Sequence, residues 1–253
     1  MKIPEYTAVK DFIMLVFDQM TKARELPVSG NETSQQNAQK ILHDLLSGVT
    51  EDPDLHALSF YRKLDSVRLQ LDLDAEFIVA SDPAATGLEE VRAIYPGFFA
   101  IFCYRIAHLL SGMDIPLIPR MITEYAHRVT GIDIHPKAGI DCPFAIDHGT
   151  GIVIGETATI GKHVKMYQGV TLGALSVDKT QAQKKRHPDI EDNVILYAGC
   201  TILGGDTKIG KNSIIGGNVW LTSSIAPDSV VYHKGEIIIR RQDNFPDPLN
   251  FVI

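Results

Sequence analysis

Between Gly131 and Glu156 the chain reads GIDIHPKAGIDCPFAIDHGTGIVIGE, where Asp133, His135, Asp141, Asp147, His148 and Glu156 interrupt a run of aliphatic residues. A carboxylate beside an imidazole fixes the ring's tautomer and raises its basicity, as a general base acting on a hydroxyl requires. Asp133 and His148 are candidates for such a pair. A second polar group stands at Lys184-Lys185-Arg186-His187-Pro188. Arginine binds carboxylates through two parallel bonds and lysine acts as a point charge, so this stretch suits a carboxylate or a phosphate. Taken singly, each of these residues reads equally well as a solvated surface group.

The element that must position them is a repeat. Counting by sixes gives Ile134, Ile140, Ile146, Ile152, Ala158, Val164 and Val170, and a second column gives Ile154, Ile160, Met166 and Leu172. After the polar stretch SVDKTQAQKKRHP the pattern resumes one residue out of phase, at Tyr197, Leu203, Ile209, Ile215 and Leu221. A β-sandwich would alternate with period two; a period of six predicts a triangular solenoid, a left-handed parallel β-helix spanning 129–235. One coil takes about 18 residues, so Asp133 and His148 fall on adjacent coils near one corner. Arg186 and His187 end a loop at about 175–188, and a loop that interrupts a regular solenoid often serves function.

Residues 1–128 carry the helical spacing of three and four, so the expected class is α+β, with an α-helical N-terminal domain before the β-helix and a tail over 236–253. Asp52-Pro53 and Asp82-Pro83 each offer an N-cap followed by proline, and Thr86-Gly87-Leu88-Glu89 spells a capping box. Pro96 is expected to end or kink the helix that Thr86 opens, and FFAIFCYRIAHLLSGM after it reads as a buried helix.

Lys and Arg number 24 against 31 Asp and Glu, a net charge of -7, which lacks the basic footprint of a nucleic-acid binder. Three scattered cysteines suggest neither a disulfide framework nor a thiolate zinc site, and fit a reducing cytoplasm. No metal is expected, since His135, His148, His163 and His187 include no closely spaced ligand pair. The N-terminal MKIPEYTAVKDFIMLVFDQM is too short in its apolar run for a secretory signal or a membrane span, so no membrane partner is expected.

DIHP at Asp133–Pro136, DHGTGIVIGET at Asp147–Thr157, VTLG at Val170–Gly173 and RHP at Arg186–Pro188 together resemble serine acetyltransferases, over about Asp82 to Ala226. The resemblance implies transfer of acetyl from acetyl-CoA, as co-substrate, to the hydroxyl of L-serine, giving O-acetylserine for cysteine synthesis. It makes His148 the base and Asp133 its orienting partner. Asp82 and Asp147 would hold the amino group of serine; Arg186 and His187 would bind its carboxylate, with His187 supplied by a neighbouring subunit. The pantetheine arm would run past Gly173, Ala174, Ala198, Gly199 and Gly216. The resemblance further implies a homotrimer or a dimer of trimers, and an O-acetylserine sulfhydrylase partner bound through C-terminal Ile253. The chain departs from the family pattern at Ala174, where a second glycine is common, in its longer loop, and in YHKGEIIIRRQ after the last coils. Two other functions remain open: acetylation of a sugar or other small hydroxyl or amine acceptor, and a non-catalytic sulfhydrylase-binding role.

Overall fold

A computed structural model describes residues 3–21, 30–175 and 184–235. Helices come first: α1 (Tyr6–Thr21), α2 (Gly30–Ser47), α3 (Pro53–Ser81), α4 (Leu88–Ile94), α5 (Pro96–Ser111) and α6 (Ile118–Thr130). Pro53, Pro96 and Pro119 stand in the first turns of α3, α5 and α6, where a missing N–H costs no helical bond. Pro96 separates α4 from α5 with a bend of 73°. The apolar segment after it is buried at Gly97, Phe98, Leu110 and throughout Ala100–Ala107. No single described helix is long and apolar enough to cross a membrane.

Two expected caps form differently. Asp82 opens no helix; it closes α3, its N–H donating to the Ile78 carbonyl at 2.9 Å, while its Oδ1 accepts the Ala84 N–H at 2.9 Å. The N-cap of α4 is Gly87, so Thr86 stands one position further out, and its N–H and hydroxyl both donate to Glu90 Oε2, at 2.6 and 2.7 Å, rather than to Glu89.

Gly131 ends α6 in the left-handed conformation (φ 72°), and the solenoid follows directly. Its first face stacks β1 (Asp133–Ile134), β4 (Val153–Ile154), β7 (Thr171–Gly173), β10 (Thr201–Leu203) and β13 (Trp220–Leu221). The second stacks β2 (Gly139–Ile140), β5 (Thr159–Ile160), β8 (Asp189–Ile190) and β11 (Lys208–Ile209). The third stacks β3 (Phe144–Ile146), β6 (Val164–Met166), β9 (Ile195–Leu196), β12 (Ile214–Ile215) and β14 (Val230–Val231). All pairings are parallel, with aliphatic residues in register: Ile134, Ile154 and Leu172 on one face, Ile140, Ile160 and Ile190 on the next. The long insertion leaves the corner between the first and second faces, between β7 and β8; its residues 176–183 lie outside those described, as does the tail 236–253 with Ile253.

The columns differ in detail from a strict six. All seven residues from Ile134 to Val170 are buried, but paired Ile134 and Ile154 stand twenty positions apart whereas paired Ile154 and Leu172 stand eighteen apart. The unbroken count of sixes therefore crosses from one buried column to another at the corner holding His148. Beyond the insertion, Leu196 and Ile202 face inward at 0% exposure, while Tyr197 is exposed and Leu203 half-buried. The slip to Ile209 comes at Gly204-Gly205, one coil later than expected. The helices cover the first coils: Asp74 and Arg105 form a buried ion pair, Asp74 accepts the Phe144 N–H at 2.8 Å, and Arg105 donates to the carbonyls of Ile140 and Asp141, both at 3.2 Å.

Candidate functional site

The two additional residues of the first coil fall in the corner between β3 and β4, where Asp147-His148-Gly149-Thr150-Gly151 bulges outward. His148 adopts φ 59° and its side chain is 74% exposed. Gly149 permits this turn: at φ 97° an added Cβ would lie 2.5 Å from Ile132 Cδ1 and 2.8 Å from Ile146 Cγ2. The imidazole Nε2 is 3.8 Å from Asp147 Oδ1. Asp147 Oδ2 accepts from Lys165 Nζ at 2.9 Å, and the same ammonium donates to the Ser81 carbonyl at 2.7 Å.

Asp82 belongs to this neighbourhood. Its Oδ2 accepts the Tyr95 hydroxyl at 2.9 Å. The Ala84 N–H bond first, with the Tyr95 bond and the nearby Lys165 ammonium, holds its carboxyl below the usual range, against the opposing effect of burial. The same bond to Asp82 pushes Tyr95 up to about 12. One corner thus gathers Asp82, Asp147 and His148, two ionised carboxylates beside an accessible imidazole, which suits an acceptor carrying a hydroxyl and an ammonium group. Lys165 and Tyr95 complete it and carried no signal in the sequence. Lys165 occupies an outward strand position that ordinarily meets water, and the end of α3 reaches it through the Ser81 carbonyl.

Asp133 heads β1 at the same corner, where Gly131 and Gly151 stack through a 2.8 Å backbone bond. Its carboxylate lies 3.6 Å from Arg120 Nη1, and among the described residues no hydrogen bond joins it to His148. Glu124, His127 and Asp133 bring ligand atoms within 4.8 Å of one another, but Arg120 lies against both carboxylates and supplies the positive charge there.

Arg186 and His187 lie at a different corner, between the first and second faces. Arg186 Nη2 donates to Glu156 Oε2 at 2.5 Å. His187 is 8% exposed, and its ring covers Gly155 so closely that an added Cβ would stand 2.0 Å from Cδ2. The Thr157 N–H donates to His187 Nδ1 at 3.1 Å, and the Thr157 hydroxyl accepts the N–H groups of Arg186 and His187 at 3.0 and 3.1 Å. Burial first, and the Arg186 charge second, bring His187 down to about 4. Glu156, which the sequence marked only as a polar interruption, and Thr157, to which it assigned no role, are what order this group.

The small residues divide between the same two corners. Gly173 ends β7 and Ala174 follows it, beside Gly155, whose N–H donates to the Leu172 carbonyl at 3.1 Å. Ala198 and Gly199 lie on the corner of His148, two coils further on, and Gly216 follows β12 on the same edge. Each is at least partly accessible, which leaves two shallow, backbone-lined edges rather than one enclosed pocket within the chain.

No protein-family model matches the chain. It is 47% identical over 192 residues to the plasmid serine acetyltransferase of Synechococcus elongatus, an alignment covering 74% of this chain and 59% of that protein. The chain thus spans less than two thirds of that relative. A serine acetyltransferase of Staphylococcus epidermidis is 42% identical over 186 residues, covering 70% of this chain and 85% of its own length. The crystal structure of Entamoeba histolytica serine acetyltransferase 1 in complex with L-cysteine superposes with a TM-score of 0.80 at 32% identity, covering 90% of this chain and 86% of that one.

Proposed function

The chain belongs to the serine acetyltransferase family, and from that premise we propose that it transfers acetyl from acetyl-CoA to the hydroxyl of L-serine, with His148 as general base. The observation that carries this reading is the corner where exposed His148 stands beside Asp147 and near Asp82. A zwitterionic acceptor would place its ammonium against the carboxylates and its hydroxyl against the imidazole. His148 takes the hydroxyl proton as the oxygen attacks the thioester carbonyl, and the imidazolium then protonates the departing CoA thiolate. Asp133, at the same corner, is assigned to orient the ring once substrate and a neighbouring subunit are in place, because catalytic hydrogen bonds often tighten only in the substrate complex.

Arg186 and His187 are assigned to the acceptor's carboxylate. They lie at another corner of the same chain, which supports a site shared between neighbouring subunits, in the homotrimer or dimer of trimers that the resemblance implies. Gly173, Ala174, Ala198, Gly199 and Gly216 would then line the cleft in which the pantetheine arm lies. The relative crystallised with L-cysteine supports a pocket for a small amino acid, since cysteine differs from serine only in its thiol.

Thiol release from acetyl-CoA is the test, with L-serine, a panel of sugars and amines, and water as acceptors. Serine-dependent release that falls at least about 100-fold in His148→Ala is expected. Full activity in the variant, or turnover indifferent to serine, overturns the assignment, and turnover only with a sugar establishes the alternative acceptor class. The C-terminal Ile253 is assigned to a sulfhydrylase partner, and removing it should abolish co-elution with that enzyme. Unchanged co-elution removes that partner site.

A further inference from the structure

Lys165 is the middle residue of β6, between inward Val164 and Met166, and so points out of the solenoid. A lysine in that position normally extends into water. This one is 6% exposed, and a buried ammonium is tolerated only where it is well paired. Its Nζ donates to Asp147 Oδ2 and to the Ser81 carbonyl, and lies 4.7 Å from the centre of the Tyr167 ring. Ser81 is the last residue of α3, where helical carbonyls lack internal partners and the helix dipole favours a cation. The next residue is Asp82.

We propose that Lys165 is a positioning residue for the acceptor: by binding Asp147 and the backbone immediately before Asp82, its ammonium sets the separation and the joint charge of the two carboxylates that receive the substrate's amino group. The inference rests on the acceptor reading given above and deepens it. The groups facing the ammonium are Asp147, the α3 terminus with Asp82, and Tyr167; Tyr95 and His148 complete the surroundings. Two carboxylates and one ammonium leave a single net negative charge for a substrate ammonium to neutralise. Without Lys165, Asp147 Oδ2 loses its 2.9 Å ion pair, and α3 loses one of its ties to the solenoid.

Burial works to lower the ammonium's pKa, but its bonds to Asp147 and Tyr167 outweigh that and keep it charged. The contact is therefore an ion pair throughout the neutral range, not a proton-transfer site.

A double-mutant cycle separates this role from a purely structural one, using Lys165→Met, Asp147→Asn and the double variant, with KM and kcat for both substrates and the calorimetric affinity for L-serine. Lys165→Met should raise the serine KM about tenfold and leave the acetyl-CoA KM within about twofold. Because Lys165 acts through Asp147, the double variant should be no worse than Asp147→Asn alone, to within about twofold. Losses that multiply, or a lowered thermal midpoint with an unchanged serine KM, would overturn the proposal. Should Lys165→Met not fold, Lys165→Gln keeps a donor while removing the charge and is run through the same cycle. A wild type that releases no thiol with serine removes the acceptor assignment and this proposal together; a serine-dependent wild type with multiplicative losses removes the proposal alone.

Discussion

One hydrogen bond determines the protonation state of His187. A backbone N–H can only donate, so Nδ1, which receives the Thr157 N–H, carries no proton, and the neutral ring bears its hydrogen on Nε2. That is the tautomer needed to donate to a carboxylate. The pKa in the fold is lowered from 6.5 to about 4, chiefly by burial. Folded and unfolded chains bind the same protons here above 6.5; below it the unfolded chain takes up a proton that the folded chain refuses, so stability falls as pH drops towards 4. The thermal midpoint should therefore fall more between about pH 7 and about pH 5 in wild type than in His187→Asn, and equal falls would show that the ring is not buried neutral. At this scale the sequence was informative where polar residues broke apolar columns, as Asp147 and His148 do. It was silent on Lys165, since the burial of an outward lysine depends on a helix distant in sequence.

Between residues and the whole stand the corners and the helix contacts. The six-residue count located the solenoid, and each of the seven residues it named from Ile134 to Val170 is buried, because each coil repeats the same inward positions. It missed the enlarged corner at Asp147–Gly151, since a two-residue slip merely carries the count from one inward column into the next. Asp82 failed as an N-cap for a related reason: Asp-Pro favours a turn whether or not a helix follows, and here α3 has just ended. The pair Asp74 and Arg105, 0% and 4% exposed, joins α3 and α5 to the backbone around β2 and β3. Asp74→Ala leaves a buried guanidinium uncompensated and should cost about 3–5 kcal/mol in denaturant unfolding. A loss below about 1 kcal/mol would mean that water reaches Arg105 and that the helices are tied to the solenoid by apolar packing alone.

The arrangement of corners decides how many chains make a site. His148 and Asp147 project from the edge between the third and first faces, whereas Arg186 and His187 lie on the edge between the first and second, fixed there by Glu156 and Thr157. The order of motifs along the chain does not reveal this separation, which only the resemblance anticipated by assigning His187 to a neighbouring subunit, because a solenoid places residues by their phase within a coil and not by their distance along the chain. On the proposed assignment, the acceptor's ammonium and its carboxylate are held by different edges. If neighbouring subunits join unlike edges, a His148→Ala chain and a His187→Ala chain are each inactive alone but complement one another. In a mixed trimer one interface pairs the intact His148 of one chain with the intact His187 of the other, so turnover should recover to about one site in three. Co-expression with two affinity tags isolates the mixed species for assay. Activity no higher than that of the separate variants would place all the acceptor's ligands within one chain and require the insertion before His187 to reorganise around the substrate.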